Sequence, residues 1–428
     1  MQVFTIEGGI PLNGEITPSG NKNAALPLLA ACLLTDKPVI FHNLPIIRDV
    51  ITMIRLLESL GVEVKEIEEH TYRIHAKDIH PAQLDSEECK RIRASILLAG
   101  PMLARCGGIK LPPPGGDVIG RRRVDTHTLA LEKLGAKCKY TRKFEFSAPQ
   151  LIGADILLDE ASVTATENAI MAAVLAKGTT IIRNAASEPH VQELCNFLNE
   201  LGARITNIGS NQLTITGVNE LHGGEHHIEP DYLEVVSFIA AAAVTNGSIR
   251  IKNAGIKHLG MIALNFKRIG VIWNTEGDDI IVPSEQPLEI LPDLGNAVPS
   301  IHVMPWPSFP TDLMSIAIVL ATKSKGSVLF HNWMFSGRMF FTDKLVSMGA
   351  QIVLCDPHRC IVQGPSQLYG ENLESPDIRA GMALLLAALS AQGKSVIRNI
   401  DQIDRGYEAV DQKLRRLGAK IIRTQENI

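Results

Sequence analysis

The sequence predicts an α/β protein built from six copies of one unit and divided into two domains. Three observations lead to this fold class. The 428 residues exceed what one hydrophobic core usually serves. Apolar helical stretches alternate with β-branched segments typical of strands. A short glycine pattern recurs along the chain at nearly constant spacing, which indicates a repeat.

The repeated pattern is an aliphatic residue, Gly, then Ala or Val, placed between an amphipathic helical stretch and a strand. Successive glycines of the pattern are 67 to 79 residues apart. Glycine just past a helix accepts the left-handed conformation, so each copy predicts a helix, a tight turn and a strand. A match outside the period, at Gly153, shows that the spacing carries the prediction. The six copies centre on Gly61, Gly135, Gly202, Gly270, Gly349 and Gly418.

A second, more apolar helix precedes each copy, for example at 167–175, 235–244 and 382–389. These stretches are apolar on every side, so we expect other elements to cover them completely. Six units of this size predict three units in each domain. The charged stretch 225–231 is the expected crossing between the domains.

Composition argues against several classes of function. The formal net charge of −4 gives no global attraction to nucleic acid or to an anionic membrane. The longest apolar stretches run about ten residues, short of the roughly 20 that a membrane span needs. The N-terminus shows no export signal, so we expect a cytoplasmic location. Aromatic residues make up only 5%, which disfavours a stacking surface for nucleic acid.

The seven cysteines are scattered and lack the paired spacing of a zinc site, so we expect reduced thiols and no metal. Cys355, His358 and Cys360 are close in sequence, but their spacing favours a strand end and a turn. No P-loop, G-x-S-x-G motif or dinucleotide fingerprint is complete, which disfavours nucleotide hydrolysis and hydride transfer.

Positive charge is concentrated in a few segments. Lys22 lies in a small polar loop before an apolar helix, where it predicts either an anion site or a helix cap with a solvated lysine. The loop 112–123 combines prolines, glycines, one carboxylate and three arginines, and predicts either a lid over an anion or an ordinary surface loop. Arg379, in the first turn of a buried helix, opposes the dipole and predicts a partner anion. Asp312, Asp377 and Asp404 each open a helical stretch, where capping is the alternative role.

Taken together, these segments resemble the enolpyruvyl transferases, in particular their nucleotide-sugar branch, across essentially the whole chain. The shikimate branch is disfavoured by the long loop 112–123 and by the VDTH motif. The matching motifs are GNKNAALP (20–27), RAS (93–95), GGDVIG (115–120), VDTH (124–127), ATEN (165–168), FPTD (309–312), DIRA (377–380) and DRGYE (404–408).

The resemblance implies two inside-out α/β barrel (prism) domains, each of three repeated units, that close over substrates bound between them. One domain would comprise 1–21 plus 230–428, and the other 22–229 with the loop 112–123 as its lid. The implied reaction transfers the enolpyruvyl group of phosphoenolpyruvate to the 3-hydroxyl of UDP-N-acetylglucosamine and releases phosphate, as the first committed step of peptidoglycan synthesis. Those two substrates are the implied partners of a monomer or weak homo-oligomer, with no cofactor, nucleic acid or membrane.

The resemblance also assigns roles to residues. Asp312 would be the base that contacts the sugar hydroxyl, and Asp117 in the lid would be the acid. Lys22 and Arg405 would act in catalysis, and with Arg93, Arg122 and Arg379 they would hold the phosphate and the carboxylate of phosphoenolpyruvate. The further implied substrate-binding residues are Asn23, Val124, Asp125, His127, Ser162, Arg338 and Asp377.

Asp117 stands where most members of the family have Cys. An aspartic acid donates a proton near pH 7 only if its pKa rises well above its reference of about 3.9, which closure and dehydration of the lid would achieve. Because the epoxide antibiotic fosfomycin alkylates the thiol, we predict that this chain is insensitive to it.

Other departures from the family concern the acceptor. Arg123, where Pro is common, would restore the positive charge that is lost where Glu160 replaces Lys. The alternatives are a paralogous enolpyruvyl transferase with a different uridine nucleotide or sugar acceptor, and a non-enzymatic repeat scaffold or nucleotide-sugar sensor. The remaining departures are Thr164 for Gly, Ser336 for Glu and Gln402 for His.

Overall fold

The computed structural model describes residues 1–81, 84, 86–117, 119–120 and 122–426. Most of its helices bury at least one apolar face. They are α1 (Lys22–Ala31), α2 (Arg48–Ser59), α3 (Ser86–Arg91), α4 (Ala99–Cys106), α5 (Asp125–Lys133), α6 (Val163–Ala173), α7 (Pro189–Glu200), α8 (Tyr232–Thr245), α9 (Gly260–Ile269), α10 (Met314–Lys323), α11 (Thr342–Ser347), α12 (Ile378–Ser390) and α13 (Val410–Arg416). Short 3-10 helices occur at Cys32–Leu34, Arg93–Leu98, Ile256–His258, Leu294–Asn296, Thr311–Leu313 and Ile400–Arg405.

The strands are short and rich in β-branched residues, as strands packed on one face require. They are β1 (Gln2–Glu7), β2 (Asn13–Ile16), β3 (Val39–His42), β4 (Glu63–Glu68), β5 (Thr71–His75), β6 (Gly108–Leu111), β7 (Lys137–Tyr140), β8 (Phe144–Ser147), β9 (Asp155–Leu157), β10 (Thr179–Arg183), β11 (Arg204–Thr206), β12 (Gln212–Thr216), β13 (Gly224–His227), β14 (Ser248–Ile251), β15 (Asn274–Glu276), β16 (Asp279–Val282), β17 (Ser300–His302), β18 (Gly326–His331), β19 (Gln351–Asp356), β20 (Arg359–Gly364), β21 (Asn372–Glu374), β22 (Lys394–Arg398) and β23 (Lys420–Gln425).

Contacts between residues divide the chain into two compact units. The first unit comprises 1–19, 119–120 and 230–426 of the described residues. Its sheets have the strand orders β21-β22-β1-β23, β15-β16-β14-β2 and β17-β18-β20-β19. Helices α8 and α12 are buried along their whole length and α10 along nearly all of it, with the amphipathic α9, α11 and α13 outside them. Apolar helices therefore form the centre of the unit and sheets surround them.

The second unit, 20–117 and 122–229 among the described residues, has the same plan. Its sheets have the orders β13-β3-β5-β4, β11-β12-β10-β9 and β6-β8-β7. Helices α1 and α6 are almost entirely buried, and α4 is buried over its first turns. Three helices inside three sheets, found in each unit, confirm the predicted fold class and the six-fold repeat.

The glycine turns confirm the basis of that prediction. All six periodic glycines have left-handed backbone angles, with φ between +83° and +107°. Each of these glycines follows an outer helix and precedes a strand. Gly occupies the position because any residue with a side chain would be strained at this φ. The out-of-period Gly153 is not among the glycines with positive φ.

Some local expectations differ from the structure. The segment that begins with Asp404 does not open an outer helix, because 400–405 form a 3-10 helix and α13 begins only at Val410. The loop 112–123 was expected to lie wholly in the second domain, whereas Ile119 and Gly120 group with the first unit. Two of its residues, Val118 and Arg121, lie outside the described residues.

Cys355 lies at the end of β19 and Cys360 in β20, with His358 in the turn between them, as the spacing predicted. Within the described part of the chain, no three His, Cys, Asp or Glu side chains are grouped closely enough to hold a metal ion. No helix among the described residues combines the length and the apolar character that a membrane span requires.

Candidate active site

Asp312 is the centre of the charged cluster in the first unit. It lies in the 3-10 turn that leads into the buried helix α10. Its Oδ1 accepts a hydrogen bond from Arg338 Nη2 at 2.7 Å, and its Oδ2 accepts one from Arg379 Nε at 3.0 Å. The carboxylate is 26% exposed, whereas the Arg338 and Arg379 side chains are 9% and 4% exposed. Asp312 is therefore the accessible member of an otherwise buried ion cluster.

Arg379 lies in the first turn of α12, against the helix dipole, so the predicted partner anion exists and is Asp312. Its guanidinium also lies 5.7 Å from the centre of the Tyr407 ring, whose hydroxyl is 3.0 Å from Ser237 Oγ. Burial lowers the pKa of Arg379. The charge of Asp312 and the Tyr407 side chain raise this pKa by more than burial lowers it, so the net shift is upward. Arg379 is a permanently charged group fixed from several sides.

Asp377 has the capping role that its position predicted. Its Oδ1 accepts hydrogen bonds from the backbone N–H groups of Arg379 at 2.8 Å and Ala380 at 3.0 Å. The same oxygen lies 3.9 Å from Arg338 Nη1. Among the described residues, Arg338 Nε and Arg379 Nη1 are buried without a hydrogen-bond partner. These two N–H groups can donate to a polar ligand or to a water molecule.

Arg405 lies at the end of the 3-10 helix 400–405 and donates from Nη1 to Gln402 Oε1 at 2.9 Å. Gln402 is thus a direct neighbour of a predicted catalytic cation. The adjacent Asp404 has a structural role, since both of its oxygens accept hydrogen bonds from Arg423, at 2.7 and 2.8 Å.

A cleft of about 420 Å³ opens beside this cluster in the first unit. Arg338, Asp377 and Ser336 line it, together with Gly120 from the loop. Gly337 N donates to the carbonyl of Ile119 at 3.0 Å, and a Cβ on Gly120 would lie 3.0 Å from Ser336 Oγ. The small Ser336 side chain therefore permits the close approach of Gly120.

In the second unit, Lys22 is the first residue of α1 and is buried, not solvated. Its Nζ lies 2.8 Å from Asp49 Oδ2, and the two side chains are 8% and 6% exposed. Asn21 caps the helix by accepting from Asn23 N at 2.9 Å. A buried ammonium at a helix N-terminus opposes the dipole, so Asp49 supplies the compensating charge. Asn23 is half-buried beside it.

Arg93 and Arg122 lie close enough for each charge to affect the other. Burial and the charge of Arg122 lower the pKa of Arg93 to about 10, against an opposing effect of Glu160. Arg93 Nη2 donates to the carbonyl of Arg123 at 2.6 Å. Gly116 has a φ of +102°, and a Cβ on it would meet the Arg93 Cβ at 2.9 Å. The half-buried Asp117 follows directly in the chain.

His127 lies in the interior of the second unit. Asn168 Nδ2 donates to its Nδ1 at 2.9 Å, so Nε2 carries the proton and donates to Thr164 Oγ1 at 3.1 Å. The ring is completely buried, and burial with the charge of Arg93 lowers its pKa to about 3. Both ring nitrogens are therefore occupied within the unit. Thr164, the residue that departs from the family's Gly, supplies one of these partners.

The other residues assigned to the acceptor lie around His127. Ser162 caps α6 through Ala165 N at 3.4 Å, and Val124 and Asp125 begin α5. Arg123 Nη2 lies 2.8 Å from Asp159 and its Nε lies 3.4 Å from Asp125. Arg123 is thus paired with these two carboxylates.

Lys22 pairs with Asp49 and Arg405 contacts Gln402, and other predicted residues form one cluster within each unit. One joins Asp312, Arg338, Asp377 and Arg379 in the first unit, and the other joins Arg93, Arg122 and the residues around His127 in the second. Sequence reasoning missed Asp49 as the partner of Lys22 and Tyr407 as a neighbour of Arg379. The only signal for Asp49 was its place in the first turn of an amphipathic helix, where acidic residues are common.

Comparisons with known proteins agree with the predicted resemblance. Residues 6–414 match the family model of EPSP synthase (3-phosphoshikimate 1-carboxyvinyltransferase). A UDP-N-acetylglucosamine 1-carboxyvinyltransferase of Bradyrhizobium diazoefficiens is 58% identical over 99% of this chain and 98% of its own. A protein of the same name from Treponema denticola is 52% identical over 98% of this chain and 99% of its own.

Solved structures share the fold. The enolpyruvyl transferase NikO from Streptomyces tendae matches with a TM-score of 0.88 at 23% identity, over 100% of this chain and 99% of that one. EPSP synthase from Acinetobacter baumannii matches with a TM-score of 0.77 at 18% identity, over 99% of this chain and 100% of that one. The chain belongs to the EPSP synthase (3-phosphoshikimate 1-carboxyvinyltransferase) family, alongside its relatives named UDP-N-acetylglucosamine 1-carboxyvinyltransferase.

Proposed function

We propose that the chain transfers the enolpyruvyl group of phosphoenolpyruvate to the 3-hydroxyl of UDP-N-acetylglucosamine and releases phosphate, as the first committed step of peptidoglycan synthesis. The observation that carries the proposal is the accessible carboxylate of Asp312 between two buried guanidiniums, at 2.7 and 3.0 Å. The 58% identity to a relative with this name supports the same conclusion.

The chemistry needs one group that removes a proton and one that supplies it. Asp312 takes the proton of the sugar hydroxyl as its oxygen bonds to C2 of phosphoenolpyruvate, and Asp117 delivers a proton to the C3 methylene. Phosphate then leaves C2 with the proton that Asp312 took up, and a proton of the C3 methyl returns to the Asp117 carboxylate, which restores the double bond and both carboxyl groups, so atoms and charges balance. Arg338 and Arg379 hold the Asp312 carboxylate in one orientation.

The cations hold the anionic groups of the substrates. Lys22 and Arg405 act on phosphoenolpyruvate, because a phosphate and a carboxylate require more than one positive charge. Arg93 and Arg122 are close enough to repel each other, and an anion between them would relieve that repulsion. Val124, Asp125, Ser162 and Asn23 contact the nucleotide sugar, whereas His127 connects α5 to α6 through its hydrogen bonds with Asn168 and Thr164.

Two residues of the second unit, Thr164 and Arg123, bear on the identity of the acceptor. Thr164, where the family usually has Gly, is hydrogen-bonded to His127, and Arg123 is paired with Asp159 and Asp125. These contacts differ from the family pattern. A different uridine nucleotide or sugar is therefore the second candidate acceptor. Phosphate release is measured with phosphoenolpyruvate and a panel of UDP-sugars, each as the only varied component. Turnover with UDP-N-acetylglucosamine at least tenfold above the others is expected, and preference for another UDP-sugar would establish the paralogous activity.

Asp117 in place of Cys makes the enzyme insensitive to fosfomycin, because a carboxylate is a far weaker nucleophile than a thiolate. Wild-type enzyme incubated with fosfomycin should keep its full rate of phosphate release. The matched variant Asp117→Cys should become progressively inactivated. Time-dependent inactivation of the wild type that Asp117→Ala abolishes would contradict this part of the proposal.

A further inference from the structure

A buried ionic group in the second unit lies outside the residues assigned to substrates. His226 Nε2 lies 3.2 Å from Glu193 Oε1, and its Nδ1 lies 2.8 Å from Glu200 Oε2. The His226 and Glu193 side chains are only 10% and 3% exposed, whereas Glu200 is 53% exposed. The rings of Phe41 and Phe197 pack against the imidazole, at 6.4 and 5.2 Å between centres. Isolated charges would be costly here, so their pairing is maintained by the fold.

The hydrogen-bond partners of the imidazole favour its protonated form. Glu193 Oε1 accepts the backbone N–H of Glu229 at 2.9 Å, so this oxygen is an acceptor and His226 Nε2 must donate to it. Nδ1 faces Glu200, a half-exposed carboxylate that also only accepts. Burial lowers the pKa of His226, but the carboxyl groups that face both ring nitrogens raise it by more, which favours the imidazolium form.

The group is connected to Lys22 through the backbone of one residue, Glu229. Glu193 holds the N–H of Glu229, and the carbonyl of the same Glu229 accepts the N–H of Asn21 at 2.8 Å. Asn21 is the N-cap of α1, and Lys22 is the first residue of that helix. A shift of Glu193 would thus move the segment that sets the position of the Lys22 backbone.

We propose that Glu193, oriented by His226 and Glu200, is a positioning residue for Lys22 in the transfer reaction. The proposal rests on the role assigned to Lys22 in the proposed function. Glu193 and His226 touch neither substrate. They fix the position of the Glu229 backbone, whose carbonyl in turn holds Asn21, the N-cap of α1. An ammonium displaced by a fraction of an ångström from the phosphate or carboxylate of phosphoenolpyruvate loses much of its effect.

The same strands carry a matched control pair. His42 in β3 and Glu225 in β13 also form a His–Glu contact, at 3.4 Å, but their side chains are 40% and 67% exposed. His227 stacks on His42 at 6.4 Å. An exposed pair of this kind contributes little to stability. Glu225→Gln therefore removes a neighbouring charge from the same strand without touching the Glu229 peptide.

The test compares Glu193→Ala, Glu193→Gln and Glu225→Gln in the full chain, with phosphoenolpyruvate and UDP-N-acetylglucosamine varied separately. We expect Glu193→Ala to lower kcat/KM for phosphoenolpyruvate by about tenfold, with KM for UDP-N-acetylglucosamine nearly unchanged. Glu193→Gln keeps an acceptor oxygen for Glu229 N and should recover most of the loss. Glu225→Gln should behave as the wild type. If Glu193→Ala does not fold, His226→Asn serves in its place.

Hydrogen exchange supplies a readout that does not depend on turnover. Exchange of the peptide that covers 20–24 should accelerate in Glu193→Ala, while the core of α6 stays protected. Unchanged kcat/KM for phosphoenolpyruvate in Glu193→Ala would overturn the proposal. A loss of protection across the whole unit, without a specific change in kcat/KM for phosphoenolpyruvate, would overturn it as well. Wild-type turnover, measured first, tests the proposed function by itself, and the exchange at 20–24 still tests the link to Asn21 if that turnover is absent.

Discussion

His127 and His226 lie in the same unit, yet their surroundings shift the pKa of the two imidazoles in opposite directions. Burial and the nearby charge of Arg93 lower the pKa of His127 to about 3. Burial also lowers the pKa of His226, but its hydrogen bonds to Glu193 and Glu200 outweigh this and raise it. The sign depends on the partner: a neutral amide and a hydroxyl face His127, whereas carboxylates face His226.

The low pKa of His127 predicts a loss of stability in acid. An unfolded chain protonates this histidine below about pH 6.5, whereas the folded chain resists until about pH 3. Its contribution is therefore complete above the unfolded pKa and falls as the pH drops toward the folded one. In calorimetry between pH 7 and pH 4.5, the wild type should lose stability more steeply than His127→Gln, by up to about 1.4 kcal/mol per pH unit. Parallel curves would show that the buried ring is not held neutral.

His226 provides the internal control with the opposite sign. Its raised pKa contributes stability below the unfolded value, and this contribution is lost as the pH rises through the folded value. The difference in unfolding temperature between the wild type and His226→Gln should therefore narrow as the solution is made alkaline. A difference that widens instead would contradict the imidazolium assignment.

At the scale of one element, Asp377 has two roles that substitution can separate. It caps α12, and it places a negative charge near Arg338. Asp377→Asn keeps an acceptor oxygen for Arg379 N and Ala380 N but removes the charge near Arg338. We expect its unfolding temperature to stay near that of the wild type while turnover falls. Asp377→Ala should lose the cap as well, at a cost of about 1 kcal/mol. Equal unfolding temperatures for the two variants would mean that capping contributes nothing here.

The periodic Gly270 can be compared with Gly178, a glycine outside the periodic set that lies between α6 and β10. Gly270 and Gly178 have similar backbone angles, with φ of +83° and +96°. A Cβ at Gly270 would lie 2.3 Å from Glu289 N, whereas nothing lies within 4 Å of one at Gly178. Gly178→Ala should therefore cost only the strain of the left-handed conformation, about 1 kcal/mol. Gly270→Ala should cost clearly more, as measured by denaturant unfolding, and equal costs would contradict the clash.

Sequence patterns predicted the elements better than their partners. The periodic glycines located the turns because a left-handed φ selects Gly locally. Arg379 signalled a missing anion, but not that Asp312 supplies it, because this contact joins residues far apart in sequence through the packing of α10 and α12. The segment from Asp404 was predicted to open an outer helix, but it ends a 3-10 helix, and α13 begins only at Val410. The two helices look alike in sequence because each has an aspartate in its first turn, Asp401 and Asp411. The Glu193 group gave no signal, because a surface helix with several carboxylates is ordinary.

At the scale of the whole molecule, the first unit depends on its N-terminal strand. β1 lies between β22 and β23 and pairs with both over most of its length. Deletion of residues 2–7 would leave two strands without their common neighbour and would remove Phe4 and Ile6, both fully buried, from the core of the unit. We expect rapid hydrogen exchange in α8, α10 and α12 of the deletion variant, with α6 of the second unit still protected. Glu7→Ala is the control, because that side chain is exposed, and loss of protection in α6 would show that the units do not fold independently.

This strand arrangement also sets an order for biogenesis. When a ribosome has translated residue 300, the whole second unit has been synthesised. The partners of β1, strands β22 and β23, are still encoded about 100 codons downstream. During that interval the first strand is an unpaired edge that could pair with another chain. Arrested nascent chains of that length should accordingly resist protease across 20–229 and be cut before residue 20 and after residue 229, because both segments belong to the first unit, which is still incomplete.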